Sequence, residues 1–233
     1  SFQRVGHLEY VPLLGGAAAI KRPYRMALSF LYTLLGFDFP LEGLPLNGLK
    51  LGEIEIVKQQ LRRGINSPPT SSAGRLFDAV SALAGVRGEI DYEAQAAIEL
   101  EMLAPDETTK PEEEAYPFSI TVDQGVRVVG LAGLISSVVQ DVRNRVSVPI
   151  ISLRFHQTVA RIITDMCKTI AQEVGIKRVA LSGGVFQNRL LLSLTTAALK
   201  REGLRVLTHR LVPCNDGGIS LGQAVISNFT QRS

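Results

Sequence analysis

Apolar residues recur every three or four positions along most of this chain, the period of a helix with one buried face. In YRMALSFLYTLLG, Met26, Phe30, Leu31 and Leu34 share such a face. Pro23 suits the first turn, where its missing N–H costs no hydrogen bond, and Gly36 stops the helix. Residues 1–22 read instead as an extended lead-in with a Gly15-Gly16 turn, strands belonging to a larger domain. GEIEIVKQQLRRG forms a short helix on Ile54, Val57 and Leu61, between a Pro/Gly-punctuated loop over 37–49 and the turn cluster INSPPTSS. Two helices follow, over 73–85 and 91–104, with Asp91 as the expected cap of the second and Gln95 nearby.

Residues 105–115, PDETTKPEEEA, carry five acidic residues and two prolines and read as an exposed acidic loop. YPFSITV and GVRVVGL then alternate as a β-hairpin does, around Asp123-Gln124-Gly125. A helix over 131–144 precedes a longer one, opened by Pro149 and running to about Glu173. After Gly175 the pattern becomes strand (KRVALSG), helix (QNRLLLSLTTAALKREG), strand (LRVLTH), helix (NDGGISLGQAVISNF). Short connections between such elements mark an α/β unit with a mainly parallel sheet. Three segments result: the lead-in 1–22, a helical segment 23–115 and an α/β segment 116–233. In parallel sheets ligands sit beyond the carboxyl ends of the strands, where both Gly-rich corners, SGG and NDGG, fall.

Composition narrows the classes. The 233 residues are 45% hydrophobic and 20% charged, as in an ordinary globular protein. The net charge of +3 is small and evenly spread, so neither nucleic acid nor a membrane is an expected partner. No apolar run approaches the ~18 residues of a membrane span. The two cysteines, Cys167 and Cys214, make no CxxC pair and fit a reducing cytoplasm. The start, SFQRVGHLEYVPL, has no signal-peptide pattern and reads as part of a longer protein.

Three constellations carry candidate chemistry. At Ser182-Gly183-Gly184 the backbone can approach a ligand closely, and the next helix offers unpaired N–H groups to an anion or nucleoside. Asn188, read as one turn in, would bond a ribose or base; a tight corner that binds nothing is the alternative. At Asn215-Asp216-Gly217-Gly218, Asp216 either caps a helix or faces a ligand or metal. In the third, Gly74, Arg75 and Asp78 precede Tyr92, Glu93, Gln95 and Glu99. Asp78 and Glu93 could accept from ribose hydroxyls, although spacing alone favours surface carboxylates. His7, His156 and His209 share no metal-ligand spacing, His156 reads as a core or boundary histidine, and no Ser/His/Asp triad can be placed.

Together GGAAAIKRPYRMAL, SSAGRLFDAVSALAG, YEAQAAIELE, RFHQTVA, LSGGVFQNRLL and VPCNDGGISLGQA resemble the C-terminal part of the HypF family, the carbamoyltransferases of nickel–iron hydrogenase maturation. The resemblance implies the C-terminal lobe of a two-lobe domain of the actin/Hsp70/sugar-kinase (ribonuclease H-like) fold, with mainly helical insertions. It implies that Ser182, Gly183, Gly184, Asn188 and Gly74 bind ATP or carbamoyl adenylate, that Asp78 and Glu93 hold the ribose, and that Asp216 ligates a divalent metal, Fe, Zn or Mg. The implied partners are HypE, whose C-terminal cysteine takes the carbamoyl group, and the upstream domains of the parent chain, which use carbamoyl phosphate. The family's HxxxH metal motif and phosphate loop are not in this sequence, so the chain is expected to hold the nucleoside half of the site and to be inactive alone. A kinase-like phosphotransferase of the same fold and a non-catalytic nucleotide-binding docking module are the competing readings.

Overall fold

The computed structural model describes residues 2–46, 48–105 and 115–230; most of the acidic loop expected at 105–115 lies outside them. The chain divides by compactness into Ser1–Thr158 and Val159–Ser233. That division falls inside the long helix over 148–174.

In the first unit, strands β1 (Gly6–Leu8) and β2 (Val11–Pro12) lead into α1 (Ala17–Lys21) and α2 (Pro23–Leu35). Residues 17–21, expected to be extended, are thus helical; an alanine-rich segment after the Gly15-Gly16 turn meets no steric bar to a helix. Ten consecutive residues of α2, Pro23–Tyr32, are buried, as expected of a helix surrounded by protein. α3 (Leu51–Arg63) ends at Gly64 in the left-handed conformation. β3 (Pro69–Thr70) pairs antiparallel with β2. α4 (Ala73–Leu83) packs on α2, and α5 (Gln95–Met102) packs on α4.

The hairpin forms as its sequence predicts: β4 (Ser119–Asp123) pairs antiparallel with β5 (Val126–Gly130). Gln124 and Gly125 both have positive φ, 47° and 81°, matching a type I′ turn and the strands' twist. β1 pairs parallel to the other edge of β5, giving the order β1-β5-β4. α6 (Ala132–Arg143) buries Leu134, Ile135, Val138 and Val139.

An aromatic knot and two polar knots fix this unit. Phe77 of α4 meets Phe155 edge-on at 4.7 Å and His156 at 5.3 Å. His156 is fully buried, as the apolar neighbours in RFHQTVA predict. Burial pushes its pKa down to about 4, against a backbone hydrogen bond that raises it, so the ring is neutral at pH 7. Its Nδ1 lies 2.7 Å from the Ser152 carbonyl, which can only accept, so Nδ1 carries the proton. Tyr116 donates its hydroxyl to Asp141 at 2.7 Å, and Arg154 reaches the same carboxylate at 2.8 Å. Glu53 takes hydrogen bonds from Tyr24 (2.8 Å) and Arg25. Burial pushes Glu53 up, but those bonds and the charges of Arg25 and Arg22 outweigh it, so its pKa is lowered.

The second unit begins within α7 (Val148–Val174). β6 (Arg178–Leu181) runs parallel to β7 (Arg205–Thr208), in register Arg178↔Arg205 to Leu181↔Thr208. The crossover is α8 (Arg189–Arg201). Leu181, Leu199 and Leu204 form a small core with Ile163, Cys167, Val179, Phe186 and Leu192 around it. α9 (Ile219–Thr230) closes the chain and leaves Ile226 and Phe229 67% and 69% exposed.

Phe77→Ala removes a ring that fills the α4–α7 contact. It should lower unfolding stability by about 3–5 kcal/mol, read as a lower denaturant midpoint at unchanged slope.

Candidate functional site

The carboxyl ends of β6 and β7 lie side by side because the strands are parallel. Ser182 follows β6 and Gly183 follows it with φ 104°, a conformation a side chain rarely tolerates. Gly184–Gln187 form a single 3-10 turn, and α8 starts at Arg189. Ser182, Gly183 and Gly184 are exposed. A Cβ at Gly183 would meet no atom within 4 Å, and one at Gly184 would meet only Asn215 Cβ, at 3.9 Å. The corner therefore opens outward and is not packed shut.

Asn188 is not one turn inside a helix. It is the N-cap of α8, and its Oδ1 accepts from the Leu191 N–H at 2.8 Å. The 3-10 turn takes in Gln187, where the sequence pattern started the helix, and α8 begins only at Arg189. Asn188 is 9% exposed, and its cap satisfies an orphan donor at the helix start.

The second corner follows β7. Asn215, not Asp216, caps it: its Oδ1 accepts from the Gly217 N–H at 3.1 Å. Asp216 opens a short 3-10 turn with its side chain exposed. A Cβ on Gly218 would lie 2.8 Å from the Pro213 carbonyl, so only glycine fits there. The corners are joined directly. Gly183 N–H donates to the Cys214 carbonyl at 2.8 Å, and His209 Nε2 lies 2.9 Å from Ser182 Oγ. Sequence reasoning gave His209 no role, although it stands just past the carboxyl end of β7, where ligands gather in such sheets.

Gly74, Asp78 and Glu93 belong to the first unit. Gly74 is in the first turn of α4 and Asp78 one turn on. Asp78 is 1% exposed, against the surface carboxylate that spacing alone favoured. Its Oδ2 lies 3.0 Å from Arg75 Nη2, an ion pair by distance whose geometry is not that of a hydrogen bond. Burial lifts its pKa to about 6, and the Arg75 charge opposes this only in part. Glu93 is exposed in the turn before α5. Asp91 does not cap that helix. Its N–H donates to Gln95 Oε1 at 2.8 Å, and the N-cap is Ala94 in the left-handed conformation. Glu99 is engaged by Arg87 at 2.6 and 2.8 Å and by Gln95 at 2.9 Å.

Among the described residues no three His, Cys, Asp or Glu side chains group as metal ligands. Asp216 alone does not make a metal centre. Burial raises the Cys167 thiol pKa, the opposite of an activated cysteine. No helix among the described residues is long and apolar enough to cross a membrane.

A family model described as the carbamoyltransferase Kae1-like domain, second subdomain, matches residues 1–223. The chain belongs to the HypF carbamoyltransferase family. It is 37% identical to the carbamoyltransferase HypF of Synechocystis sp., over 96% of this chain and 30% of that protein. It is 36% identical to a carbamoyltransferase HypF homolog of Cupriavidus necator, over 96% of this chain and 57% of that one. A crystal structure of full-length HypF in the phosphate- and nucleotide-bound form superposes with a TM-score of 0.89 at 40% identity, covering all of this chain and 30% of that one. The α/β fold is thus that of the HypF Kae1-like domain, of the actin/Hsp70/sugar-kinase type. The chain spans about a third of the full-length HypF proteins it matches.

Asn188→Ala should cost about 0.5–2 kcal/mol of stability through the lost cap, with Asn188→Asp close to wild type in the same thermal unfolding assay. Asp78 gives a pH signature. With its pKa raised from 3.8 to about 6 in the fold, the folded state holds the proton longer than the unfolded one. Its contribution to stability is present below pH 4 and is lost as pH rises through about 6. Asp78→Asn should therefore gain on wild type between pH 4 and 7, by up to about 3 kcal/mol, in denaturant midpoints measured across that range. Parallel curves would refute the burial effect.

Proposed function

We propose that this chain supplies the nucleoside-binding half of a carbamoyl-transfer site. The observation that carries this is the outward-opening pair of corners at the carboxyl ends of β6 and β7, tied by the Gly183–Cys214 bond. The nucleotide-bound state of the HypF crystal structure, 40% identical, supports the same reading.

In it the exposed corner at Ser182, Gly183 and Gly184 seats the adenosine of ATP or carbamoyl adenylate. Asn188 fixes the start of α8 and with it the shape of the corner. Asp78 and Glu93 are the carboxylates for the ribose hydroxyls, and Gly74 allows close approach at the start of α4. Oδ2 of Asp78 is paired with Arg75 outside hydrogen-bond geometry, which leaves it able to accept from a hydroxyl. Asp216 would supply one ligand to a divalent metal (Fe, Zn or Mg), which would offset charge on the phosphate side.

The reaction is acyl transfer. The C-terminal cysteine thiolate of HypE attacks the carbamoyl carbon, the carbon–oxygen bond to the phosphate breaks, and AMP leaves with the electron pair. The product is an S-carbamoyl group destined for a cyanide ligand of the hydrogenase. The nucleophile comes from the partner, so this chain needs no triad; its own residues position the mixed anhydride. The setting is cytoplasmic, and carbamoyl phosphate enters through the upstream domains.

Calorimetric titration with AMP and ATP, with and without divalent metal, tests the reading. Saturable binding by the wild type should fall at least tenfold in Gly184→Asp, which puts a carboxylate where the ligand lies while the fold has room for its Cβ. Equal binding by both proteins would refute the site.

A further inference from the structure

We propose that His209 is a positioning residue of the nucleotide corner, acting through the Ser182 hydroxyl. The inference deepens the function proposed above and rests on it.

His209 and Ser182 stand just past the carboxyl ends of adjacent parallel strands, after Thr208 and Leu181, which are partners in register. Their side chains meet at 2.9 Å, and both residues are exposed. An exposed side-chain hydrogen bond adds little to folding, because water replaces either partner at small cost. The strand pairing and the Leu181–Leu199–Leu204 core already hold the unit together.

What the bond does control is a rotor. A serine hydroxyl turns freely unless something fixes it. Here it borders Gly183, whose φ of 104° and N–H bond to Cys214 fix the backbone on either side of the corner. The imidazole fixes the one remaining freedom, so Oγ faces the ligand in a single orientation. With Nε2–H donating, the Ser182 proton is released towards an acceptor on the nucleotide; with Nε2 accepting, the Oγ lone pairs face a ribose donor. Either tautomer couples the first corner to the loop that leads to Asp216.

The experiment is AMP titration of this chain and five variants, with thermal unfolding of each. His209→Ala and Ser182→Ala should each weaken AMP binding about three- to tenfold at unchanged melting temperature. The double variant should be no weaker than the worse single one, since the two residues act as one unit. His209→Gln should return to within about twofold of wild type, because its carboxamide can donate or accept at similar reach. A wild-type affinity in His209→Ala overturns the proposal, and so do single losses that multiply in the double variant. The fifth variant, Gly184→Asp, separates the two failures. If it loses binding while His209→Ala does not, the positioning role alone fails. If the wild type binds no AMP, the nucleotide reading fails and this inference with it.

Discussion

The parallel pairing of β6 with β7 is the constraint on which the candidate site depends. Parallel neighbours need a long crossover, supplied here by α8, and they place both carboxyl ends on one edge. The Gly183 N–H bond to the Cys214 carbonyl ties the segments that follow the two strands, making one the hydrogen-bond partner of the other. Gly183 meets this with a backbone conformation closed to most residues, and Gly218 with an approach to Pro213 that excludes a Cβ.

The first unit solves a different problem. It buries α2 on every side and packs α4 against it, so a carboxylate on the inner face of α4 is taken out of water. Asp78 is held there beside Arg75 at the cost of a raised pKa. Buried carboxyls with incomplete hydrogen bonding are unusual in ordinary cores and common where a ligand completes the network. His156, equally buried one helix away, shows the contrast. It has its backbone acceptor and its aromatic neighbours, and it reads as packing.

Much of this was legible in the chain itself. Pro23 and Gly36 delimit α2, Gln124-Gly125 sets the hairpin, and the last third gives β6, α8, β7 and α9 in order. These signals are local: a ring that fixes φ, a turn that needs positive φ, a period of two or of 3.6. The errors were also local in appearance and tertiary in cause. Asn188 and Asn215 look interchangeable with their neighbours until the 3-10 turns decide which side chain meets the open N–H groups. Asp91 looks like a cap until Gln95 folds back to accept from its N–H.

By itself the sequence determined most of the element order, the ends of α2, the hairpin turn and the family, because each is written in residues close together along the chain. The tertiary structure alone decided which polar groups meet. Asp78 is buried because of what packs over α4, and His209 reaches Ser182 because β6 and β7 are neighbours in register. Burial and cross-strand contact are properties of distance in space. No periodicity in the chain encodes them until the strands pair.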